Sequence, residues 1–188
     1  MVEAFLVSTL AVAVAEIGDK TQLLSLLLAT RFRRPQPIVW GILIATLANH
    51  ALAAMVGQWV RLRLGEEPLR WLLGLGFLAI AAWTLKPDEL DDDKSIKGTY
   101  GVFLVTLLAF FIAEIGDKTQ VATVALAARY DALIPVVVGT TVGMLLVNVP
   151  IVYLGDRFAP KIPLKLVRFV AAAIFAVIGL IVLFGGGG

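Results

Sequence analysis

The sequence predicts an all-α integral membrane protein, with six transmembrane helices arranged as two inverted-topology three-helix repeats. Three observations predict it. Of 188 residues, 60% are hydrophobic and only 16% charged, whereas soluble domains carry roughly 45–50% apolar and about 25% charged residues. Six apolar stretches approach the roughly 20 residues that a spanning helix needs. The chain also repeats itself at a shift of 98 positions. The mean hydropathy of +0.92 excludes a disordered chain and a soluble enzyme. The stretches are too long and unbroken for the strands of an outer-membrane barrel.

In chain order the stretches are Ala4–Thr30, Ile38–Val60, Leu69–Leu85, Gly101–Ala128, Leu133–Leu154 and Leu166–Phe184. Short polar pieces with helix breakers separate them, among them Arg31–Pro37, Arg61–Pro68 and Gly155–Pro163. The first stretch is not preceded by a basic region: Met1–Val14 contains no Lys or Arg. It is therefore expected to stay in the mature protein rather than act as a cleaved signal.

The repeat divides the chain. Ala15–Gln22 falls residue for residue on Ala113–Gln120, Phe5-Leu6-Val7 on Phe103-Leu104-Val105, Gly41 on Gly139 and Phe77 on Phe175. Residues 1–86 and 99–184 are the expected three-helix repeats. Residues 87–98 form an acidic linker, and 185–188 a glycine tail. With an odd number of spans per half, the second half crosses in the opposite sense, the arrangement of many secondary transporters, whose site lies where the halves meet. Loop cations set the orientation. Arg31, Arg33, Arg34, Lys86, Lys94, Lys97, Arg157, Lys161, Lys165 and Arg168 collect on one side, against Arg61, Arg63, Arg70 and Arg129 on the other. The central loop is thus expected in the cytoplasm and both termini outside. The run Asp88–Asp93 could collect divalent cations near a cytoplasmic entrance, and its plainer reading is a solvated linker.

The chemistry lies inside the first and fourth stretches. Glu16, Asp19 and Lys20, and again Glu114, Asp117 and Lys118, stand near their middles. A charge at the bilayer centre costs about 2.5–3.5 kcal/mol on insertion scales, so six of them must face the bundle interior or a wet cavity. Helical spacing puts Glu16, Asp19 and Lys20 on one face, and does the same for Glu114, Asp117 and Lys118. Gly18 and Gly116 allow a close backbone approach, or let the helix open and expose carbonyls. Thr21, Gln22, Thr119 and Gln120 add neutral oxygens. Four carboxylates with hydroxyl and amide oxygens make a hard-donor site suited to manganese, calcium or magnesium. Four negative charges against two lysines leave −2, which one divalent cation or two protons would neutralise. The plainer reading takes Glu16–Lys20 and Glu114–Lys118 as local ion pairs that let polar helices insert. It leaves Asp19, Asp117 and the duplication unexplained.

The doubled pattern E-x-G-D-K-T, at Glu16–Thr21 and Glu114–Thr119, resembles the Gdt-type exchangers, long catalogued as uncharacterised protein family 16. The resemblance covers both halves and so nearly the whole chain. It implies a calcium/manganese–proton exchanger. For a bacterial member in the inner (cytoplasmic) membrane, it implies manganese export. By the same resemblance Glu16, Asp19, Glu114 and Asp117 are the expected metal ligands and proton carriers.

Other polar residues carry weaker expectations. Asn49 and His50 in the second stretch and Asn148 in the fifth either line the cavity, pass protons or tie helices together. Ser25 and Thr123 lie one or two turns beyond the motifs, and the four tryptophans read as an aromatic belt. No cysteine and a single histidine exclude a disulfide framework, thiolate metal sites and a multi-histidine centre within one chain. A net charge of +2 gives no reason to expect nucleic acid. No cofactor fingerprint or nucleophile–base pair stands outside the apolar stretches, so no cofactor and no enzyme activity are expected. The partners are the transported Mn²⁺ or Ca²⁺, protons and the lipid bilayer. One chain could bury such a site alone, which favours a monomer over a small homo-oligomer.

Overall fold

The computed structural model describes residues 1–86, 101–154 and 164–185. The acidic linker, Gly155 and the end of the glycine tail lie outside the described residues. So do several of the loop cations that set the expected orientation, among them Lys94, Lys97, Arg157 and Lys161.

All regular structure among the described residues is helical. The helices are α1 (Val2–Glu16), α2 (Lys20–Phe32), α3 (Pro35–Arg63), α4 (Glu66–Thr84), α5 (Val102–Glu114), α6 (Lys118–Tyr130), α7 (Leu133–Leu154) and α8 (Leu164–Phe184). Three are long and apolar enough to cross a membrane: Pro35–Arg63, Leu133–Leu154 and Lys165–Phe184. The other expected spans differ for physical reasons. The stretch read as Ala4–Thr30 is two helices, α1 and α2, because the chain opens at Gly18. Gly101–Ala128 is likewise α5 and α6, opened at Gly116. Helix α4 carries Glu66 and Glu67 in its first turn and Arg70 in the next, which dilutes its apolar character.

Local sequence explains the ends. Helices α2 and α6 both stop on a left-handed residue, Arg33 (φ 51°) and Asp131 (φ 49°). Their N–H groups donate to the carbonyls of Ala29 and Ala127 at 3.0 and 3.1 Å. Arg33 and Asp131 are themselves repeat partners. Pro35, pre-set in φ, then opens α3.

The two halves interlock. Helix α1 packs along α7 and α5 along α3, while α2 meets α7, α6 meets α3 and α4 lies on α8. Small residues make the close approaches. A Cβ on Gly139 would sit 2.6 Å from the Phe5 carbonyl oxygen, and one on Gly41 2.9 Å from that of Phe103. Each contact is the other's image at a shift of 98. Phe77 and Phe175, also 98 apart, stack on each other with ring centroids 6.5 Å apart.

Large apolar side chains face outward as well as inward, and a charged group is embedded in the apolar core. Leu10, Leu27, Leu52, Leu108 and Leu146 are exposed, as are Trp40, Trp59, Trp71 and Trp83. Glu16, Asp19, Glu114, Asp117, Lys118, Asn49, His50 and Asn148 are buried. An apolar rim around a charged centre is what a low-dielectric surround demands, since charges there must face one another.

Candidate metal centre

Each motif lies across a helix break. Glu16 is the last residue of α1 and Asp19 the residue before α2. Gly18, at φ 80°, turns the chain in a region costly for any residue with a Cβ. The break is stapled twice. The Asp19 N–H donates to the Glu16 carbonyl at 3.1 Å, and the Gly18 N–H to Gln22 Oε1 at 2.9 Å. The second half repeats this, with Gly116 at φ 73°, Asp117 N–H to the Glu114 carbonyl at 3.1 Å and Gly116 N–H to Gln120 Oε1 at 2.7 Å. In both halves the glutamine thus spends its carbonyl oxygen on the break. The shared helix face expected for Glu16, Asp19 and Lys20 is replaced by a bend that aims Glu16 and Asp19 from two different half-helices.

The lysines do not pair within their own motif. Lys20 Nζ lies 2.8 Å from Asp117 Oδ1, and Lys118 Nζ 2.6 Å from Asp19 Oδ1. Each half's lysine holds the other half's aspartate. Both aspartates stand at helix N-caps without capping their own helix by side chain, so their carboxylates are committed to the centre. These crossed pairs bring Glu16, Asp19 and Asp117 together, with one oxygen from each within 4.8 Å of the others.

The fourth acid sits to one side of this group. Glu114 is fully buried. Its Oε2 lies 3.3 Å from the Thr119 hydroxyl, which is also 3.3 Å from Asp117 Oδ2, and 3.8 Å from His50 Nε2. On the first-half side the Thr21 hydroxyl donates to Glu16 Oε2. One oxygen of each glutamate, Glu16 Oε1 and Glu114 Oε1, is buried with no hydrogen-bond partner among the described residues.

The remaining candidates differ between the halves. The Asn49 side-chain amide donates to the Phe111 carbonyl at 3.0 Å, in the last turn of α5, where carbonyls lack helical partners. Asn148 accepts from the Ser25 hydroxyl at 2.7 Å and donates to the Met144 carbonyl at 3.1 Å. Thr123 returns its hydroxyl to the Thr119 carbonyl at 2.7 Å. Asn148, Ser25 and Thr123 are thus engaged in packing. Sequence reasoning gave the acids but not their crossed partners. The signal lay in the duplication: two copies meeting head to head can exchange counter-charges.

The family model described as "Divalent cation/proton antiporter GDT1" matches residues 4–92 and 102–187. The chain is 55% identical over 175 residues to a Vibrio cholerae protein named "Putative manganese exporter", covering 93% of this chain and 87% of that one. It is 29% identical to a GDT1-like protein of Synechocystis, covering 93% and 94%. It is 28% identical to GDT1-like protein 3 of Oryza sativa, covering 92% and 71%. No solved structure matches. With both motifs inside the matched regions, the chain belongs to the GDT1 family of divalent cation/proton antiporters.

Proposed function

We propose that this protein exports a divalent cation, manganese first, from the cytoplasm in exchange for protons. In this reading the cation binds between the halves, on Glu16, Asp19 and Asp117 with Glu114 beside them. The observation that carries it is the crossed pairing of Lys20 with Asp117 and Lys118 with Asp19 around three converging carboxylates. Hard oxygen donors at that spacing suit manganese, calcium or magnesium. The two lysines neutralise two of the four acids, so the centre is left at −2. One divalent cation, or two protons, balances it.

The mechanism follows from that balance. Cytoplasmic metal draws the aspartates off the lysines and displaces protons from the glutamates. The halves rock about the centre and open it outward. External protons then release the metal. The protein sits in the inner membrane as two inverted repeats, 1–86 and 99–184, with the central loop cytoplasmic and the termini outside. The reciprocal contacts of Gly41 with Phe103 and Gly139 with Phe5 support that arrangement, because a two-fold axis between the halves generates both from one. The cation and protons are cargo, the reading needs no cofactor, and a single chain encloses the centre.

The test is purified protein in proteoliposomes with an imposed pH gradient and manganese, calcium or magnesium added in turn. Manganese-dependent collapse of the gradient, weak with magnesium, is the expected result. An equal calcium response would make the protein a general calcium/manganese exchanger. Metal flux without any pH response would make it a channel and sink the exchange. Glu16→Gln and Glu114→Gln are each expected to abolish exchange in a folded protein. Transport by either at the wild-type rate would remove that acid from the centre.

A further inference from the structure

His50 lies deep in α3, which packs against both α5 and α6 and so against both sides of the second break. Its side chain is fully buried. Neither ring nitrogen has a hydrogen-bond partner among the described residues. A buried imidazole kept only for packing would satisfy at least one nitrogen, since an unmade buried hydrogen bond is costly. Glu114 stands beside the imidazole, with Oε2 3.8 Å from Nε2 and Oε1 without a hydrogen-bond partner among the described residues. Glu114 is joined to the metal group through Thr119, the hydroxyl that reaches both Glu114 and Asp117. Thr119 thus links Glu114 to Asp117, one of the three converging acids, and the imidazole stands 3.8 Å beyond Glu114.

The other half has no such feature. The repeat partner of His50 is Asn148, whose amide is engaged by Ser25 and Met144. Duplication made the acids and lysines symmetric, while the nitrogen donor stands on one side alone. Asn49, next to His50, grips the Phe111 carbonyl and so fixes this part of α3 against the end of α5.

We propose that His50 is itself a ligand of the transported cation, its Nε2 joining Glu114 to form a nitrogen-bearing side of the site that favours a first-row transition ion over calcium and magnesium. This rests on the transport reading above and adds what selects the ion. Ligand atoms on one small divalent cation, each about 2.0–2.2 Å from it, stand about 3 Å apart when adjacent. A gap of 3.8 Å needs only a small closure. Carboxylate oxygens do not separate manganese from calcium by type. An imidazole does, because it suits transition ions while calcium and magnesium take oxygen.

The experiment uses the purified full chain with Mn²⁺ alone. Pulsed electron paramagnetic resonance on the bound ion is expected to show ¹⁴N modulation from a coordinated imidazole, lost in His50→Gln. Competition binding is expected to show a weaker Mn²⁺ affinity in His50→Asn. The loss should be at least the roughly tenfold that removal of an outer-shell partner alone costs. Calcium affinity should stay within a factor of about two, because oxygen ligands alone hold it. A merely structural role would lower both affinities together and leave no nitrogen signal, and that result overturns the proposal. If neither variant folds, the nitrogen signal of the wild type decides. Mn²⁺ bound without it overturns the ligand assignment and leaves the transport reading intact. Wild-type protein that binds no Mn²⁺ overturns both.

Discussion

Removing one partner of a buried ion pair strands the other. Lys118 is 3% exposed against Asp19, so Asp19→Asn takes from a buried ammonium the carboxylate 2.6 Å away. Breaking such a pair costs about 3–5 kcal/mol, whereas neutralising both partners together is often nearly neutral. Asp19→Asn is therefore expected to lower the thermal midpoint sharply in detergent. Asp19→Asn combined with Lys118→Met should recover most of the loss and still not bind metal. The same cycle on Lys20 and Asp117 should show a smaller coupling, because Lys20 is 24% exposed and water screens it. Equal couplings would contradict the burial difference. The acids were legible in the sequence, since charges inside apolar stretches announce a function. Their partners were not. The i, i+4 spacing of Glu16 and Lys20 invites a local pair, and only the fold exchanges the lysines between halves. His50 showed a similar limit. One histidine in an apolar stretch reads equally as cavity lining, proton relay or helix tie, and its unpartnered nitrogens appear only in three dimensions.

At the scale of elements, each break depends on one glycine and one glutamine. A Cβ on Gly116 would meet nothing within 4 Å, so Gly116→Ala tests backbone conformation alone. At φ 73° a Cβ costs about 1–2 kcal/mol, and the alanine variant should lose that much stability in chemical unfolding. Gln120→Ala removes the 2.7 Å bond to the Gly116 N–H and should cost about 0.5–1.5 kcal/mol. Glycines within helices divide by surroundings. On Gly57 a Cβ would lie 2.2 Å from the Val124 carbonyl oxygen, so Gly57→Ala should push α3 off α6 at about 1–3 kcal/mol. Gly76 has open space around it, and Gly76→Ala should stabilise α4 by about 0.5–1 kcal/mol. A destabilised Gly76→Ala would mean that lipid or a second copy fills that space. Hydropathy located the apolar stretches but ran straight over Gly18 and Gly116. A window average cannot register one left-handed residue, although glycine between two acids already allowed the helix to open there. Helix α4 was blurred for the opposite reason. Its apolar run was visible, and the acids that begin the helix lowered its average.

The whole molecule is governed by its duplication. Each half presents a broken helix that it cannot complete alone: its aspartate needs the other half's lysine, and its first helix needs the other half's third. This explains why eight residues persist unchanged in both copies while flanking apolar residues have drifted. Apolar positions need only volume, whereas a crossed ion pair fixes both partners. If a two-fold axis in the membrane plane relates the halves, equivalent positions emerge on opposite faces. Arg33 and Asp131 are such positions, both left-handed caps at the ends of α2 and α6, and both exposed. The chain contains no cysteine, so single cysteines can be placed without background. In intact cells, an impermeant thiol reagent should label Asp131→Cys and spare Arg33→Cys. In inverted vesicles the pattern should reverse. Loss of the exposed Arg61–Asp131 contact, at 3.5 Å, should not disturb folding, because surface pairs contribute about 0–1 kcal/mol. Labelling of both positions from one side would place the halves in parallel. It would also remove the geometric basis for alternating access, since parallel halves could not present the same broken helix to the two sides in turn.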